Sequence, residues 1–208
     1  MDVDTVTIHN VVATANFGCN LDLQRIAWAY YGEYNPSAFA AVQLRLQRPR
    51  TTALVFGSGK VVCTGARNEH AALLALHTYF FMVWRLHREA RLVSQCVQNI
   101  VSSANLHSGV RIDEMSREVA LSLQGHYEPD IFPGFRLGIK NPDLKALVFT
   151  GGKVVLTGGK TRADIARAWA ILRVVVDKHL VSSAPGRPAA SHADIVHMNI
   201  SSKKLKVR

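Results

Sequence analysis

The chain has 208 residues, 48% of them hydrophobic, enough for one or two compact domains with a core of their own. Its 25 Lys and Arg outnumber its 15 Asp and Glu, a formal charge of +10 that favours anionic partners such as nucleic acid. No apolar run reaches the ~18–20 residues of a membrane helix, and the opening MDVDTVT lacks the basic and apolar parts of a signal peptide. Cys19, Cys63 and Cys96 are odd in number, widely spaced and without a CxxC, which fits reduced thiols rather than a disulfide or metal framework. The expectation is a soluble intracellular protein with no membrane partner. From Ser183 onward five basic residues face one acidic, and the preceding part holds twenty against fourteen. That moderate excess suits nucleic acid and equally a well-solvated basic surface.

Residues 3–14 are β-rich, and alternation sets His9, Val11 and Ala13 on one side and Asn10, Val12 and Thr14 on the other. LDLQRIAWAYY (21–31) predicts a short amphipathic helix with Asn20 as cap and Leu23, Ile26, Ala27 and Tyr30 on one face. Tyr34-Asn35-Pro36 breaks it. A strand over 39–46 ends at Arg48-Pro49-Arg50. TTALVFGSGKVVCTG (51–65) is a hairpin signal, with glycines where the turn needs positive φ. A long, strongly apolar helix follows over 68–86, capped by Asn68. The order then recurs: strand 93–104, helix 112–123 with Asp113, Glu114 and Glu118 weighted to its start, loop 125–129, strand 135–139, a second hairpin and a closing helix over 161–180. Residues 183–208, rich in Ser, Ala, Pro and Lys, are expected to be a disordered basic tail. Its KKLKVR end suits a nuclear localisation signal or a nonspecific DNA contact.

The recurrence is literal. LKALVFTGGKVVLTG (144–158) repeats the first hairpin 93 residues later, keeping Phe56 with Phe149, Lys60 with Lys153 and Thr64 with Thr157. Phe39 in YNPSAFA and Phe132 in YEPDIFPG share that offset, and HNVVATAN (9–16) is echoed by QNIVSSAN (98–105). The chain is a tandem duplication of a unit of about 90 residues. The expected repeats are 1–92 and 93–182. Each unit runs β-α-β-β-β-α, which indicates α+β with helices on one side of an antiparallel sheet. In the first hairpin both faces are apolar: Thr52, Leu54 and Phe56 lie opposite Ala53 and Val55, and Val62 and Thr64 lie opposite Val61 and Cys63. Helices cover one face, so either more protein buries the other or it is an apolar binding surface.

Enzymatic chemistry finds no signature. GSGK (57–60) is followed by Val61 and a strand, where a phosphate loop needs Ser or Thr and a helix. The nine histidines form no HExxH, and no local signature singles out a Ser, His and Asp set. Catalytic, cofactor and metal residues are therefore expected to be none.

VATANFGCNLDLQRIA, EYNPSAFAAV, RPRTTALVFGSGKVVCTGA, QNIVSSAN, YEPDIFPGFR and LVFTGGKVVLTGGK, in this order, make the chain resemble the TATA-binding protein core over about residues 5–180. The resemblance implies a pseudo-twofold saddle with a curved ten-stranded antiparallel sheet and four helices on its convex side. It implies a nuclear initiation factor that binds A·T-rich promoter DNA in the minor groove, the TATA-binding protein itself being a standing example of kinking by apolar wedges. Phe39, Phe56, Phe132 and Phe149 match the intercalating pairs. Asn10 and Asn99, with Thr64 and Thr157, match the polar groups near the pseudo-dyad, where amides donate to adenine N3 and thymine O2. Val12, Leu54, Val62, Val101, Leu147 and Val155 match the aliphatic groove lining, Pro133 joins it, and such a surface leaves a guanine amino group unpaired. Arg45, Arg50, Lys60, Arg67, Lys153 and Lys160 sit where phosphate contacts are expected. Glu128, Asp130 and Ile131 lie in a loop that in the family meets transcription factor IIB. Transcription factor IIA, RNA polymerase machinery and a homodimer in the absence of DNA complete the implied partners.

The departures are specific. Lys145 stands where the family usually has an aliphatic residue facing the groove; a lysine buried beside bases needs a partner, and it could reach a base-edge acceptor or a phosphate and alter sequence preference. Gly138, Asn141 and Asp143, and in the first repeat Ser37 and Ala38, replace residues that are often basic, which implies weaker phosphate binding. The helix over 68–86 has lost most of its usual Lys and Arg. These changes leave open a related factor that acts mainly as a protein-interaction scaffold with weak or altered DNA preference, although some relatives of the fold lack the intercalating phenylalanines and this chain retains all four.

Overall fold

Strands and helices alternate twice through the same sequence of elements. The structure, a computed structural model, describes residues 6–119 and 124–181. The expected tail over 183–208, the last residues of the helix expected over 112–123 and the start of the first strand lie outside the described residues. The first unit comprises β1 (Thr7–Asn16), α1 (Leu23–Tyr30), β2 (Ala41–Gln47), β3 (Arg50–Phe56), β4 (Lys60–Ala66) and α2 (Glu69–Leu86). The second comprises β5 (Ser94–Asn105), α3 (Ile112–Val119), β6 (Gly134–Ile139), β7 (Leu144–Phe149), β8 (Lys153–Gly159) and α4 (Arg162–Val176), which runs into a 3-10 turn at Asp177–His179.

The strands form one antiparallel sheet in the order β2-β3-β4-β1-β5-β8-β7-β6. The two units join through β1 and β5, where Val11 pairs with Ile100, Asn10 with Val101 and Val12 with Asn99. This crossing is the pseudo-dyad. The ten-stranded saddle expected from the resemblance is corrected: the sheet is open and has eight strands, the number the sequence's own β-α-β-β-β-α reading requires. Further strands do not form because each incipient edge stops at one bridge, Glu33 to Gln43 and His126 to Arg136. Beyond Glu33, Asn35 O is taken by the amides of Ala38 and Phe39, and Pro36 has no amide to offer. Beyond His126, Glu128 O accepts from Ile131 and Phe132, and Pro129 likewise lacks a donor.

Alternation places the core. Along β3, Thr51, Ala53 and Val55 are buried and Thr52, Leu54 and Phe56 are half-buried. The buried face of every strand packs into one cluster with Ile26, Leu76, Met115 and Leu172 of the four helices. The helices therefore all lie on one face of the sheet. On α2 the core positions are Ala72, Ala75, Leu76, Tyr79 and Val83, one helical stripe. Asn68 caps α2 as expected, its Oδ1 accepting from Ala71 N at 2.7 Å. The cap of α1 is Asp22 rather than Asn20, with Oδ1 accepting from Arg25 N at 3.0 Å. The shift arises because Leu21 N donates to Gly57 O at 2.8 Å, tying that residue to the hairpin and delaying the helix. On α4, Thr161 and Asp164 form a reciprocal capping box, whose hydrogen bonds, led by that from Thr161, hold the Asp164 carboxyl below its ordinary range. The equivalent starts of α2 and α4 meet through Arg162 Nη2 and Glu69 Oε2 at 3.2 Å.

The two halves of the core differ at several equivalent positions, among them Thr51 and Leu144, Cys63 and Leu156, and Tyr79 and Leu172. Tyr79 is buried and its hydroxyl donates to Thr51 O at 3.0 Å, while the equivalent residue in α4 is Leu172. Burial raises the Tyr79 phenol from its ordinary 10.0 to about 12. Burial likewise raises the neighbouring Cys63 thiol from 9.0 to about 11. Both groups are neutral when protonated and keep the proton to higher pH when folded. Their contribution is thus complete below the unfolded values and lost as pH rises through the folded ones. Stability measured by urea titration is expected to decline from pH 9 to 12, with Cys63→Ala delaying the onset to near pH 10 and Tyr79→Phe flattening the upper part. At neutral pH Tyr79→Phe is expected to cost about 1–3 kcal/mol, because buried acceptors lose their donor.

Candidate nucleic-acid interface

The face of the sheet away from the helices carries a second apolar set. Val101, Leu147 and Val155 are buried there in a small cluster of their own, with Phe132 and Phe149 packed against it. In the first half Leu54 and Val62 remain half-buried, and Val12 beside the dyad is buried. No described helix covers this face. Among the described residues, the choice left open by the hairpin, between burial under more protein and an accessible apolar surface, falls to the surface.

Each end of that surface bears a phenylalanine pair. Phe39 and Phe56 have ring centroids 6.0 Å apart at 67°, and Phe132 and Phe149 are 5.8 Å apart at 65°. Phe39 is 50% exposed, an unusual state for a large aromatic ring. In each pair one ring comes from the loop preceding an edge strand and the other from the end of the next strand. The register sets Ala41 beside Phe56 and Gly134 beside Phe149. Gly134 is the close approach: a Cβ there would stand 2.6 Å from Phe132 Cε1. Pro133 between them is exposed.

Near the pseudo-dyad the polar groups are clamped identically. Asn10 Oδ1 accepts from Gly65 N at 2.8 Å and from Thr64 Oγ1 at 3.3 Å. Asn99 Oδ1 accepts from Gly158 N at 2.8 Å and from Thr157 Oγ1 at 3.4 Å. A backbone amide can only donate, so each carboxamide must turn its oxygen to the sheet; the Asn99 Nδ2 also lies 3.4 Å from Thr157 Oγ1, to which it can donate, and its second hydrogen remains an outward donor. The geometry needs glycine: Gly65 and Gly158 have φ of +100° and +109°. His9 Nε2 and Ser103 Oγ, 2.6 Å apart, and Gln98 Nε2 and Thr14 Oγ1, 2.9 Å apart, form a second twofold set nearby.

Cations border the surface. Arg45, Arg50 and Lys60 are exposed and by strand alternation share the face of Thr52, Leu54 and Val62, and Lys153 does so in the second half, half-buried. Arg67 and Lys160, just past β4 and β8, are exposed. Lys145 is exposed on the uncovered face, with Gly138, which has no side chain to cover it, and Thr157 as its cross-strand neighbours. A cation thus stands at Lys145, directly across the strand from Gly138. Glu128, Asp130 and Ile131 are all exposed in the loop before Phe132, with Glu128 Oε1 3.1 Å from His126 Nε2.

Three features have no local signature or only a faint one. Glu33 binds Arg45 at 3.0 Å, across a turn that spacing does not reveal. Arg136 lies over the Phe132 ring at 4.7 Å, and the alternation of Phe135, Leu137 and Ile139 in β6 already placed it outward. Gly65 and Gly158 anchor the asparagines, and the repeated Thr-Gly ending each hairpin was their signal.

Comparison with known proteins gives a consistent result. A family profile described as "Transcription factor TFIID (or TATA-binding protein, TBP)" matches residues 5–86 and 94–179. The TATA-box-binding protein of Acanthamoeba castellanii is 42% identical over 164 residues, covering 78% of this chain and 63% of that protein. That of Caenorhabditis elegans is 41% identical over 170 residues, covering 81% of this chain and 49% of that protein. The chain thus spans between about half and just under two thirds of these relatives. Among solved structures, the Methanococcus jannaschii TBP superposes with a TM-score of 0.70 at 31% identity, covering 83% of this chain and 98% of the other.

Gly158→Ala is expected to destabilise by about 1–3 kcal/mol in urea titration, since it forces a side chain into the left-handed region and disturbs the Asn99 clamp. Gly151→Ala, where an added Cβ meets nothing within 4 Å, is the control and should change stability by no more than about 0.5 kcal/mol.

Proposed function

The chain belongs to the TATA-binding protein family, and on that footing we propose that it binds A·T-rich double-stranded promoter DNA through the minor groove and bends it. In this reading the protein acts in transcription initiation by marking promoter DNA for the general transcription machinery, and carries out no reaction itself. Residues 1–92 and 93–182 act as two equivalent repeats, each supplying one wedge.

The observation that carries the reading is the pair of phenylalanine couples at the two ends of an uncovered apolar face. A ring exposed at rest gains apolar contact when inserted between unstacked bases, and that gain offsets the cost of unstacking. Between the wedges, Val12, Leu54, Val62, Val101, Leu147 and Val155 offer no partner to a guanine amino group. The NH2 groups of Asn10 and Asn99, with Thr64 and Thr157, face acceptors common to A·T and T·A pairs. Arg45, Arg50, Lys60, Arg67, Lys153 and Lys160 would hold the backbone without reading sequence.

The finer assignments belong to the same proposal. Exposed Glu128, Asp130 and Ile131 form the docking loop for transcription factor IIB, with transcription factor IIA and RNA polymerase joining the assembly in the nucleus. Without DNA, two copies can cover each other's apolar face. A second reading, a scaffold whose main partners are proteins, draws on the opposite side of the molecule. Leu74 and Phe81 of α2 are 50% and 58% exposed, and Trp28 and Tyr31 of α1 and its C-terminal end are 78% and 97% exposed.

The test is end-to-end energy transfer on a labelled duplex carrying a TATA element, compared with a scrambled one. Wild type should form a bent, sequence-preferring complex, and the variant with Phe39, Phe56, Phe132 and Phe149 all changed to Ala should not bend it. Binding without bending or preference, unchanged in that variant, would favour the scaffold.

A further inference from the structure

Simple alternation along β1 would set His9 with Val11 and Ala13, on the side of the helices. The strand does not alternate there. Ile8 stands across from Ser102 and Asn10 from Val101, so His9 is the extra residue of a β-bulge, and the bulge turns its side chain to the side of Asn10. Its Nε2 lies 2.6 Å from Ser103 Oγ. Ser103 stands across from Val155, a member of the apolar cluster on the uncovered face. A half-buried histidine is therefore held on the face that carries the phenylalanine couples. The equivalent residue of the second unit is Gln98, whose Nε2 donates to Thr14 Oγ1 at 2.9 Å.

The setting of His9 favours an anion. The four central strands β4, β1, β5 and β8 contain no Asp or Glu, and His9 is their one histidine. The charged groups nearest in register on the flanking strands are both cations: Arg67, just past Ala66, which pairs with Val11, and Lys153, which pairs with Asn105. The Ser103 hydroxyl can donate to a neutral imidazole or accept from an imidazolium, so it holds the ring in either state. The phenylalanine couples stand near opposite ends of the strand order, and a minor groove joining them crosses the strands. Its floor then passes over Asn10, Val12, Asn99 and Val101, and its sugar-phosphate walls lie to either side along β1 and β5. Ser103 is two residues along from Val101, about 7 Å at the usual strand rise. That displacement carries the imidazole from the floor toward one wall.

We propose that His9 is a phosphate contact that engages DNA in its protonated form, so that binding on this face takes up a proton. This rests on the minor-groove reading above. A histidine changes charge near pH 6.5 in water, and a neighbouring phosphate favours the charged state. Affinity therefore rises as pH falls through the neutral range. It levels off once His9 is protonated in the free protein as well. Gln98 fills the equivalent place with a group that never carries charge, so the linkage belongs to His9 alone of the pair.

The energy-transfer assay on the labelled A·T-rich duplex, run from pH 8 to pH 6 at fixed salt, reads the linkage. If binding raises the proton affinity of His9 tenfold, the parent should bind about sixfold more tightly at pH 6 than at pH 8. His9→Gln, which installs the residue of the equivalent position, should still bend the duplex, with less than about a twofold change over that range. At pH 6 its salt slope should be shallower than the parent's by up to about 0.9, and at pH 8 the two slopes should nearly coincide. His126→Gln, at the sheet edge beside Glu128, should keep the parent's pH dependence. Should the parent bend DNA with an affinity indifferent to pH, or His9→Gln retain the parent's response, the assignment of His9 is wrong and the minor-groove reading stands. If the parent forms no bent complex at any pH, both fall.

Discussion

Apolar side chains stand on both faces of one eight-stranded sheet, and the four helices can cover only one of them. Everything functional follows from that mismatch. Had β3 and β4 alternated apolar with charged residues, the uncovered face would be ordinary solvent surface. Instead Leu54, Val62, Leu147 and Val155 line it, and the phenylalanine pairs partly shelter its ends. A surface of this kind lowers its free energy by meeting another apolar surface, at roughly 25 cal/mol per Å² buried. The floor of an A·T minor groove is such a surface, edged by acceptors and phosphates.

Duplication supplies the match to a duplex and also limits it. The β1–β5 crossing sets Asn10 beside Val101 and Val12 beside Asn99, so that, in the proposed function, one surface would meet two similar half-sites. Among the positions at which they have diverged, Gln43 against Arg136 lies on the edge strands, Thr52 against Lys145 one strand inward, and Glu33 against His126 at the single bridges beyond the edge. There a change of charge leaves the shared core untouched. The core has diverged too, at Tyr79 and Leu172, but that difference concerns stability alone.

The element order was legible from the sequence because hydrophobic alternation and the repeated hairpin are local signals. Asn68 was read correctly as a cap, and the phenylalanine couples were found because an offset of 93 preserved all four. The strand count expected from resemblance was too high, and the single bridges at Glu33 and His126 explain it: proline and turn carbonyls after them stop the pairing. The cap at Asp22 was missed because a long-range bond from Leu21 to the hairpin decides where α1 begins. That Lys145 stands across from Gly138 is likewise a matter of strand register, which sequence alone does not show. Glu33 and Arg136 act through tertiary contacts that no spacing rule reports.

If DNA sits on the uncovered face of the sheet, methyl NMR of the protein titrated with an A·T-rich duplex will show it most directly. The expected result is large shifts at Leu54, Val62, Leu147 and Val155 and at the Thr64 and Thr157 methyls, with Leu76 and Leu172 in the helical core nearly unmoved. Shifts confined to exposed Leu74 and Val174 on α2 and α4, with the sheet methyls unchanged, would contradict it.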